Sequence, residues 1–380
     1  MIHFPITMRI AFDTHHLLLE TAGTKRVTVN FLDQLRREHG ADLIELRPSY
    51  KLSVGKSIPA KLLGHLIRFF WVHIHLPLLC LIKKADVLIS PEFNTPMLTH
   101  CRRVVIVHDA HMRAQPEFTS RLWFYFYYVP FIEIPIRRAD LILTISAFAK
   151  KQIVSLMKLD ERKVRVMHLG VDMSFRAQPS PLNGKVREKG LSPGNYILFV
   201  GTFEARKNLE RLINAFAKIK GERLPQAEGL QLAIVGKPAG GMFSDRSRQM
   251  TGMISGLGLQ DDIVLTGYVR DEDLPEFYRE ARMLAFPSLH EGFGLPILEG
   301  FISGIPVITS NVCSMPEIAG GAALIVDPYN VEDIADKIRQ LLVNTSLRDE
   351  LVEAGSRRVK EFSWERFTNE ALGHISALKR

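Results

Sequence analysis

Two carboxylates bracket a glycine turn in the segment 287–299, PSLHEGFGLPILE. The apolar run before it reads as a strand ending at Phe286. Gly292 and Gly294 read as a tight turn, Pro296 sits where a helix tolerates proline, and Gly304 ends that helix after about two turns. Glycines let a backbone approach a ligand closely, and the unpaired N–H groups of a first helical turn favour an anion. The segment is thus a cradle for a phosphate or a sugar, with Gly292, Phe293, Gly294 and Leu295 supplying its amides. An ionised carboxylate accepts two hydrogen bonds at once, which suits a vicinal diol. Glu299 is then a candidate for gripping a ribose, and Glu291 for gripping a transferred sugar. The plainer reading has Glu299 favouring the helix dipole and Glu291 solvated.

A second segment, VGTFEARKN (200–208), follows a strand pattern and precedes a helical one. Gly201 opens its turn, and Arg206 and Lys207 stand where positive charge would meet a diphosphate. Fixed cations there would stabilise a departing diphosphate more than its ground state. His108-Asp109 ends another strand, and its histidine could hydrogen-bond a sugar hydroxyl. Lys237 lies in a glycine-rich loop (236–241), a weak signal alone. The acidic run Asp271-Glu272-Asp273 suggests a metal site less than the opening of a helix at Leu274.

These residues need elements to hold them. Short apolar runs read as buried parallel strands at 8–13, 41–46, 85–90, 103–109, 139–146 and 163–170. The rhythm restarts at 196–201, 230–236, 262–268, 282–288, 305–310 and 322–327. Amphipathic stretches lie between the runs, and helices close the chain across 331–343, 346–360 and 364–378. Alternating β and α means an α/β protein with parallel sheets covered on both faces. Pro179, Pro181, Gly184, Pro193 and Gly194 mark a linker around 173–194. Two doubly wound domains follow, with ligands expected beyond the carboxyl ends of their strands, in a cleft between them.

The chain has 380 residues, enough for two sizeable cores. Its Cys80, Cys101 and Cys313 share no CxxC spacing, so neither a disulfide framework nor a zinc site is expected and a reducing, cytoplasmic compartment fits. No secretory signal is visible, and residues 1–7 read as a leader ahead of the first strand. No complete GxGxxG follows either domain's first strand, which argues against an ordinary NAD enzyme. The net charge of +8 is uneven: residues 1–190 hold 28 Lys and Arg against 16 Asp and Glu, the rest 21 against 25. That basic half suits an anionic partner. Nucleic acid would fit on charge alone, but no recognisable nucleic-acid motif is present. Two apolar stretches lie in the same half, 62–82 and 121–138. Charged and kinking residues interrupt the first, so a membrane-spanning helix is not expected. Their tryptophans and tyrosines, with Lys61, Lys83, Lys84, Arg137 and Arg138 nearby, suit peripheral contact with an anionic membrane. Helices packed inside the domain are the alternative.

Together these segments resemble the large family of retaining glycosyltransferases that includes bacterial mannosyltransferases of surface-polysaccharide synthesis. Glu291 to Glu299 matches the family's E-x7-E motif, and VGTFEARKN its diphosphate-binding turn. TGYVRDEDLPEFYREA (266–281) and VCSMPEIAGGAALIVDP (312–328) match its flanking segments. The resemblance covers about residues 8–370 and implies the GT-B fold. Two Rossmann-like domains would span 1–180 and 190–362, with a C-terminal helix (363–380) crossing back to the first. It further implies that Glu299 holds the ribose, that Glu291 and the amides of Gly292 through Leu295 hold the donor sugar and diphosphate, and that Arg206 and Lys207 neutralise the diphosphate. Tyr268 and Val269 would lie along the base, and His108 would contact the donor sugar. Relatives often carry a paired glycine after the first strand; here Thr21-Ala22-Gly23-Thr24-Lys25 keeps one, leaving Gly23 and Thr24 as phosphate-side candidates. The implied reaction moves a hexose, mannose first, from a nucleoside-diphosphate sugar (GDP-mannose first) to a glycan or lipid-linked glycan, retaining configuration and needing no metal or other cofactor. The implied place is the cytoplasm, at the inner membrane face. An inactive partner of this fold, or a sugar phosphorylase or epimerase, are the competing readings.

Overall fold

The computed structural model describes residues 8–18, 22–49, 58–114, 121–176, 184–236 and 247–378. The chain divides into two compact units, residues 1–170 with 363–380, and residues 171–362.

The first unit is built on six parallel strands. These are β1 (Ile10–Asp13), β2 (Leu43–Leu46), β3 (Val87–Ser90), β4 (Arg102–Ile106), β5 (Leu141–Thr144) and β6 (Val164–Val166), in the order β2-β1-β3-β4-β5-β6. β1, β3 and β5 are buried along their whole length, as strands covered on both faces must be. The helix Trp364–Ser376 belongs to this unit and packs on the helix Ala22–His39, with Phe367 edge-on to Phe31 at 5.1 Å. Gly170 lies against its start: a Cβ there would sit 2.3 Å from the Trp364 amide nitrogen, so only glycine fits.

The stretch 62–82 is helical, Ile58–Phe70 and Leu76–Ile82 joined by a π-helical segment, Trp71–His75. Trp71, Val72, Leu76 and Cys80 enter the core beside Ala11, Leu46 and Leu88. Trp71 Nε1 donates to Asp13 Oδ1 (3.1 Å), and the other oxygen of Asp13 lies 2.7 Å from His15 Nδ1. The opposite face is exposed: Leu66, Phe70, Ile74, Leu78, Leu81 and Ile82. Despite its interruptions, the run Leu63–Ile82 is long and apolar enough to cross a membrane by length and hydropathy. Residues 121–137 form a second helical stretch that is π-helical over Phe124–Glu133. It accommodates Pro130, whose missing N–H an α-helix would feel. Phe124, Tyr128, Ile132 and Ile136 face the core, while Leu122, Tyr125 and Phe126 are exposed. Both stretches therefore serve as packed helices and also present apolar surface.

The second unit repeats the scheme with β7 (Tyr196–Val200), β8 (Gln231–Val235), β9 (Ile263–Gly267), β10 (Met283–Phe286), β11 (Val307–Ser310) and β12 (Leu324–Val326), in the order β12-β11-β10-β7-β8-β9. All its pairings are parallel. β7 and β10 are neighbours although far apart in sequence, with Met283 opposite Ile197. The sheet's growth reverses at that pair, which is where a doubly wound sheet opens a crevice at its carboxyl edge. The residues after the change of unit pack within the second unit: Phe175 is buried edge-on to Tyr278 at 5.3 Å, and Val186 is buried in the short helix Lys185–Glu188.

Candidate active site

The turns leaving β7 and β10 meet at the reversal point of the second sheet. β7 is followed by Gly201–Glu204 and a 3₁₀ turn, Ala205–Lys207. β10 is followed by Pro287–Gly294 and then the helix Leu295–Ile302. Gly294 caps that helix at φ 107°, a conformation that side chains rarely adopt, and Pro296 follows in its first turn.

Several bonds lock the two turns together. The Leu289 amide donates to the Arg206 carbonyl (2.7 Å). Asn208, itself left-handed at φ 62°, donates through Nδ2 to the carbonyls of Pro287 (2.9 Å) and Pro328 (2.7 Å). Ser314 Oγ holds the far side of the glycine turn, bonding the carbonyls of Glu291 (2.9 Å) and Phe293 (2.8 Å). A third turn closes in from β8: the Gly236 amide donates to the Gly267 carbonyl (3.1 Å), and a Cβ on Gly236 would fall 1.9 Å from the Gly201 oxygen. Two backbones touch there with no room for a side chain.

The charged groups converge on one carboxylate. Glu291 accepts Lys207 Nζ at 2.6 Å on one oxygen and Arg206 Nη1 at 3.0 Å on the other. Glu204 takes Arg206 Nε at 2.6 Å from the opposite side, and the Lys207 ammonium lies 5.2 Å from the centre of the Phe286 ring. Burial pushes the Glu291 carboxyl up, but Lys207 and Arg206 outweigh it and hold it below the ordinary carboxylate value. For Lys207 burial, helped by the neighbouring Arg206 charge, prevails over the carboxylates of Glu291 and Glu204, and its ammonium is pulled down. The result is a pair of fixed cations beside a helix N-terminus, the arrangement that receives a phosphate.

Glu299 lies inside the helix Leu295–Ile302, buried, with Tyr278 Oη donating to its Oε2 at 2.6 Å. The structure therefore brings Gly201, Arg206, Lys207, Glu291, Gly292, Phe293, Gly294 and Leu295 into one turn assembly. Tyr268 is exposed and Val269 buried just after β9, beside the Gly236–Gly267 contact. Asp273 stands at the N-cap position of the helix Leu274–Arg279 without a side-chain cap bond, and it and Glu272 are paired with Arg270 (2.8 and 2.5 Å). Lys237 lies outside the described residues. Gly23 and Thr24 fall in the first turn of the helix Ala22–His39, their side chains outside what is described. His108 follows β4 in the first unit, its ring bonded to the Pro91 backbone and its basicity lowered by burial. Sequence reasoning missed Glu204, Asn208, Tyr278 and Ser314. Their contacts are set by the fold, and only Glu204 and Asn208, inside the segment VGTFEARKN, stood where the sequence could have flagged them.

Comparison with known proteins agrees with this architecture. The family described as "Glycosyltransferase Family 4" matches residues 21–175, and "Glycosyl transferases group 1" matches residues 185–358. The O-antigen chain mannosyltransferase B of Escherichia coli is 31% identical over 290 residues, covering 76% of this chain and 74% of that protein. The serotype-specific mannosyltransferase WbdA of Escherichia coli is 28% identical over 63% of this chain, which spans only 29% of WbdA. Among solved structures, HepE of Anabaena in complex with UDP-glucose superposes with a TM-score of 0.71 at 15% identity, covering 98% of this chain and all of that one.

Proposed function

We infer, from the premise that this chain belongs to the GT-B glycosyltransferases of family 4 and group 1, that it moves a hexose from a nucleoside-diphosphate sugar to a hydroxyl of a glycan or lipid-linked glycan, retaining the anomeric configuration. The observation that carries the reading is the Arg206–Glu291–Lys207 cluster, set beside a helix N-terminus where the sheet reverses. Mannose, as GDP-mannose, is the first choice of donor, supported by the mannosyltransferase relatives.

In this scheme the amides of Gly292 to Leu295 and the cations of Arg206 and Lys207 take the diphosphate. As the sugar–oxygen bond breaks, charge gathers on the leaving phosphate, and cations already fixed in place stabilise that state without reorganising. Glu291 holds both cations in position and is assigned to the donor sugar. Glu299, oriented by Tyr278, grips the ribose, and Tyr268 with Val269 lines the base. Gly23, Thr24 and Lys237 are assigned to the phosphate side, and His108 to a hydroxyl of the donor sugar. The acceptor hydroxyl attacks from the face the diphosphate leaves, and a phosphate oxygen takes its proton. Two protein cations meet the diphosphate, so the scheme assigns the charge to them rather than to a metal.

The test is thermal-shift binding against GDP, UDP, dTDP, ADP and NAD in the presence of EDTA. A ligand that prefers the folded state raises Tm. A rise with one nucleoside diphosphate, lost in Arg206→Ala and Glu299→Ala, is expected. No rise with any diphosphate would favour an inactive partner of the same fold.

The acceptor side is read as meeting the inner face of the cytoplasmic membrane. The helix ending at Ile82 buries one face in the first unit's core and opens an apolar ridge on the other, followed directly by exposed Lys83 and Lys84. A helix half-committed to a core lies along a bilayer rather than through it. Liposome co-sedimentation should show preference for anionic vesicles, reduced by Phe70→Ser with Ile74→Ser; equal binding to neutral vesicles would refute the assignment.

A further inference from the structure

Cys80 and Cys101 stand twenty-one positions apart in sequence and meet in the first unit's core, beside Ala11, Leu46 and Trp71. Cys80 lies in the last turn of the helix Leu76–Ile82, and Cys101 immediately precedes β4. The backbone pins each of them. The Cys80 carbonyl accepts the Ala85 amide (2.9 Å), and the carbonyl of the following residue, Asp86, accepts the Arg102 amide (3.0 Å). The two thiols share a hydrogen bond while remaining unlinked. Their surroundings differ in sign. Cys101 is 7% exposed, its sulfur lies 3.2 Å from Thr99 Oγ1, and it feels the charge of Arg103. Cys80 is wholly buried and feels the charge of Asp13 instead.

That asymmetry divides the work of the pair. The hydrogen bond from Cys80, joined by Thr99 and the Arg103 charge, outweighs burial and pulls the Cys101 thiol down to about 7. The same hydrogen bond, burial and the Asp13 charge push Cys80 up. A thiolate is the nucleophile, and a thiol that is readily ionised, reachable and set beside a second thiol is oxidised in preference to a core thiol held by packing alone. We propose that Cys101 and Cys80 form a modification site for a hydroperoxide, Cys101 attacking and Cys80 resolving, which closes to a disulfide within the first unit. The Cys101 thiolate takes the outer oxygen of the peroxide. The O–O bond breaks, the released alkoxide or hydroxide takes up the proton that the thiol gave up, and Cys101 becomes a sulfenic acid. The Cys80 sulfur then attacks the Cys101 sulfur. The S–S bond forms, the S–O bond breaks, and hydroxide leaves as water with the Cys80 proton. Two thiols are oxidised and one peroxide is reduced. In a reducing compartment a small-molecule thiol reopens the bond, so the linked form is transient.

Peptide mapping of the whole folded protein after hydrogen peroxide, with free thiols capped before digestion, tests the site without nucleotide or sugar. The expected product is a Cys80–Cys101 cross-linked peptide, lighter than its two parts by two hydrogens and lost on treatment with dithiothreitol. It should form in Cys313→Ser as in wild type. Dimedone, which traps sulfenic acids, should label Cys101 in Cys80→Ser at least about tenfold more than it labels Cys80 in Cys101→Ser. The wild-type cross-link decides the site even where a variant fails to fold. Recovery of both thiols unoxidised, under an exposure that fully oxidises free glutathione, would leave them as inert core residues and overturn the proposal. A cross-link that forms only in guanidinium would overturn it too, because the fold would then keep the sulfurs from reacting. Equal dimedone labelling would overturn the order of attack.

Discussion

Replacing Glu291 by glutamine keeps its shape and deletes the one charge that two cations share. Lys207 and Glu291 are 2.6 Å apart, with both side chains 11% exposed. At an effective dielectric of about 20, opposite charges at that distance attract by about 6 kcal/mol. Desolvation offsets part of this in the intact pair, whereas removing one partner strands the other and costs about 3–5 kcal/mol. Arg206 keeps Glu204 as a partner, so the loss falls mainly on Lys207. For a unit of this size, about 2–4 °C per kcal/mol translates into a fall in Tm of roughly 6–20 °C. Two further readouts tie the loss to this cluster. A nucleoside diphosphate would replace the carboxylate that directly bonds Lys207, leaving only the non-bonded Glu204 charge besides it, so it should raise Tm more in Glu291→Gln than in wild type. The folded Glu291 titrates below its unfolded value, so its contribution is complete above the ordinary carboxylate pKa of about 4.3 and vanishes as pH falls through the folded one. The gap between wild type and variant must therefore close in acid. Differential scanning calorimetry across pH reads all three. A fall under about 2 °C, or a gap that widens on acidification, would refute the reasoning.

The supporting shell gives three more expectations. Tyr278→Phe deletes the 2.6 Å bond to Glu299 and should cost about 1 kcal/mol of stability; calorimetric titration should show nucleoside diphosphate binding several-fold weaker. Asn208→Ala strands two buried carbonyls and replaces asparagine at φ 62° with a residue that tolerates the left-handed region less well, which should cost about 2–4 kcal/mol in denaturant unfolding. Gly236→Ala drives a Cβ onto the Gly201 carbonyl, so thermal unfolding should show a loss of at least about 2 kcal/mol, together with weaker diphosphate binding.

The strands of both sheets were legible because parallel strands buried on two faces are written as unbroken apolar runs, such as YILFV and VLIS. The glycine turn was legible because the backbone itself demands glycine there, and its flanking cations because charge beside such a turn points to an anion. The path of 62–82 was harder. His73 and Pro77 break the apolar run on paper, yet the helix passes through them by widening at Trp71–His75 and setting Pro77 in the first turn of the next piece. Tyr278 was invisible for another reason. Its ring reads as core within LPEFYR, and only the fold reveals that its hydroxyl ends on a carboxylate twenty-one positions away.

The helix Trp364–Ser376 completes the first unit from the far end of the chain. All six strands of that unit leave the ribosome early, but Phe367 reaches Phe31 only after the whole of residues 171–362 has been made. At about 5–20 residues per second the apolar groove on the helix Ala22–His39 waits roughly 10–40 s for its cover. During translation that groove is a natural hold for a chaperone. A nonsense codon just before residue 364 would leave the second unit whole and strike the one synthesised first.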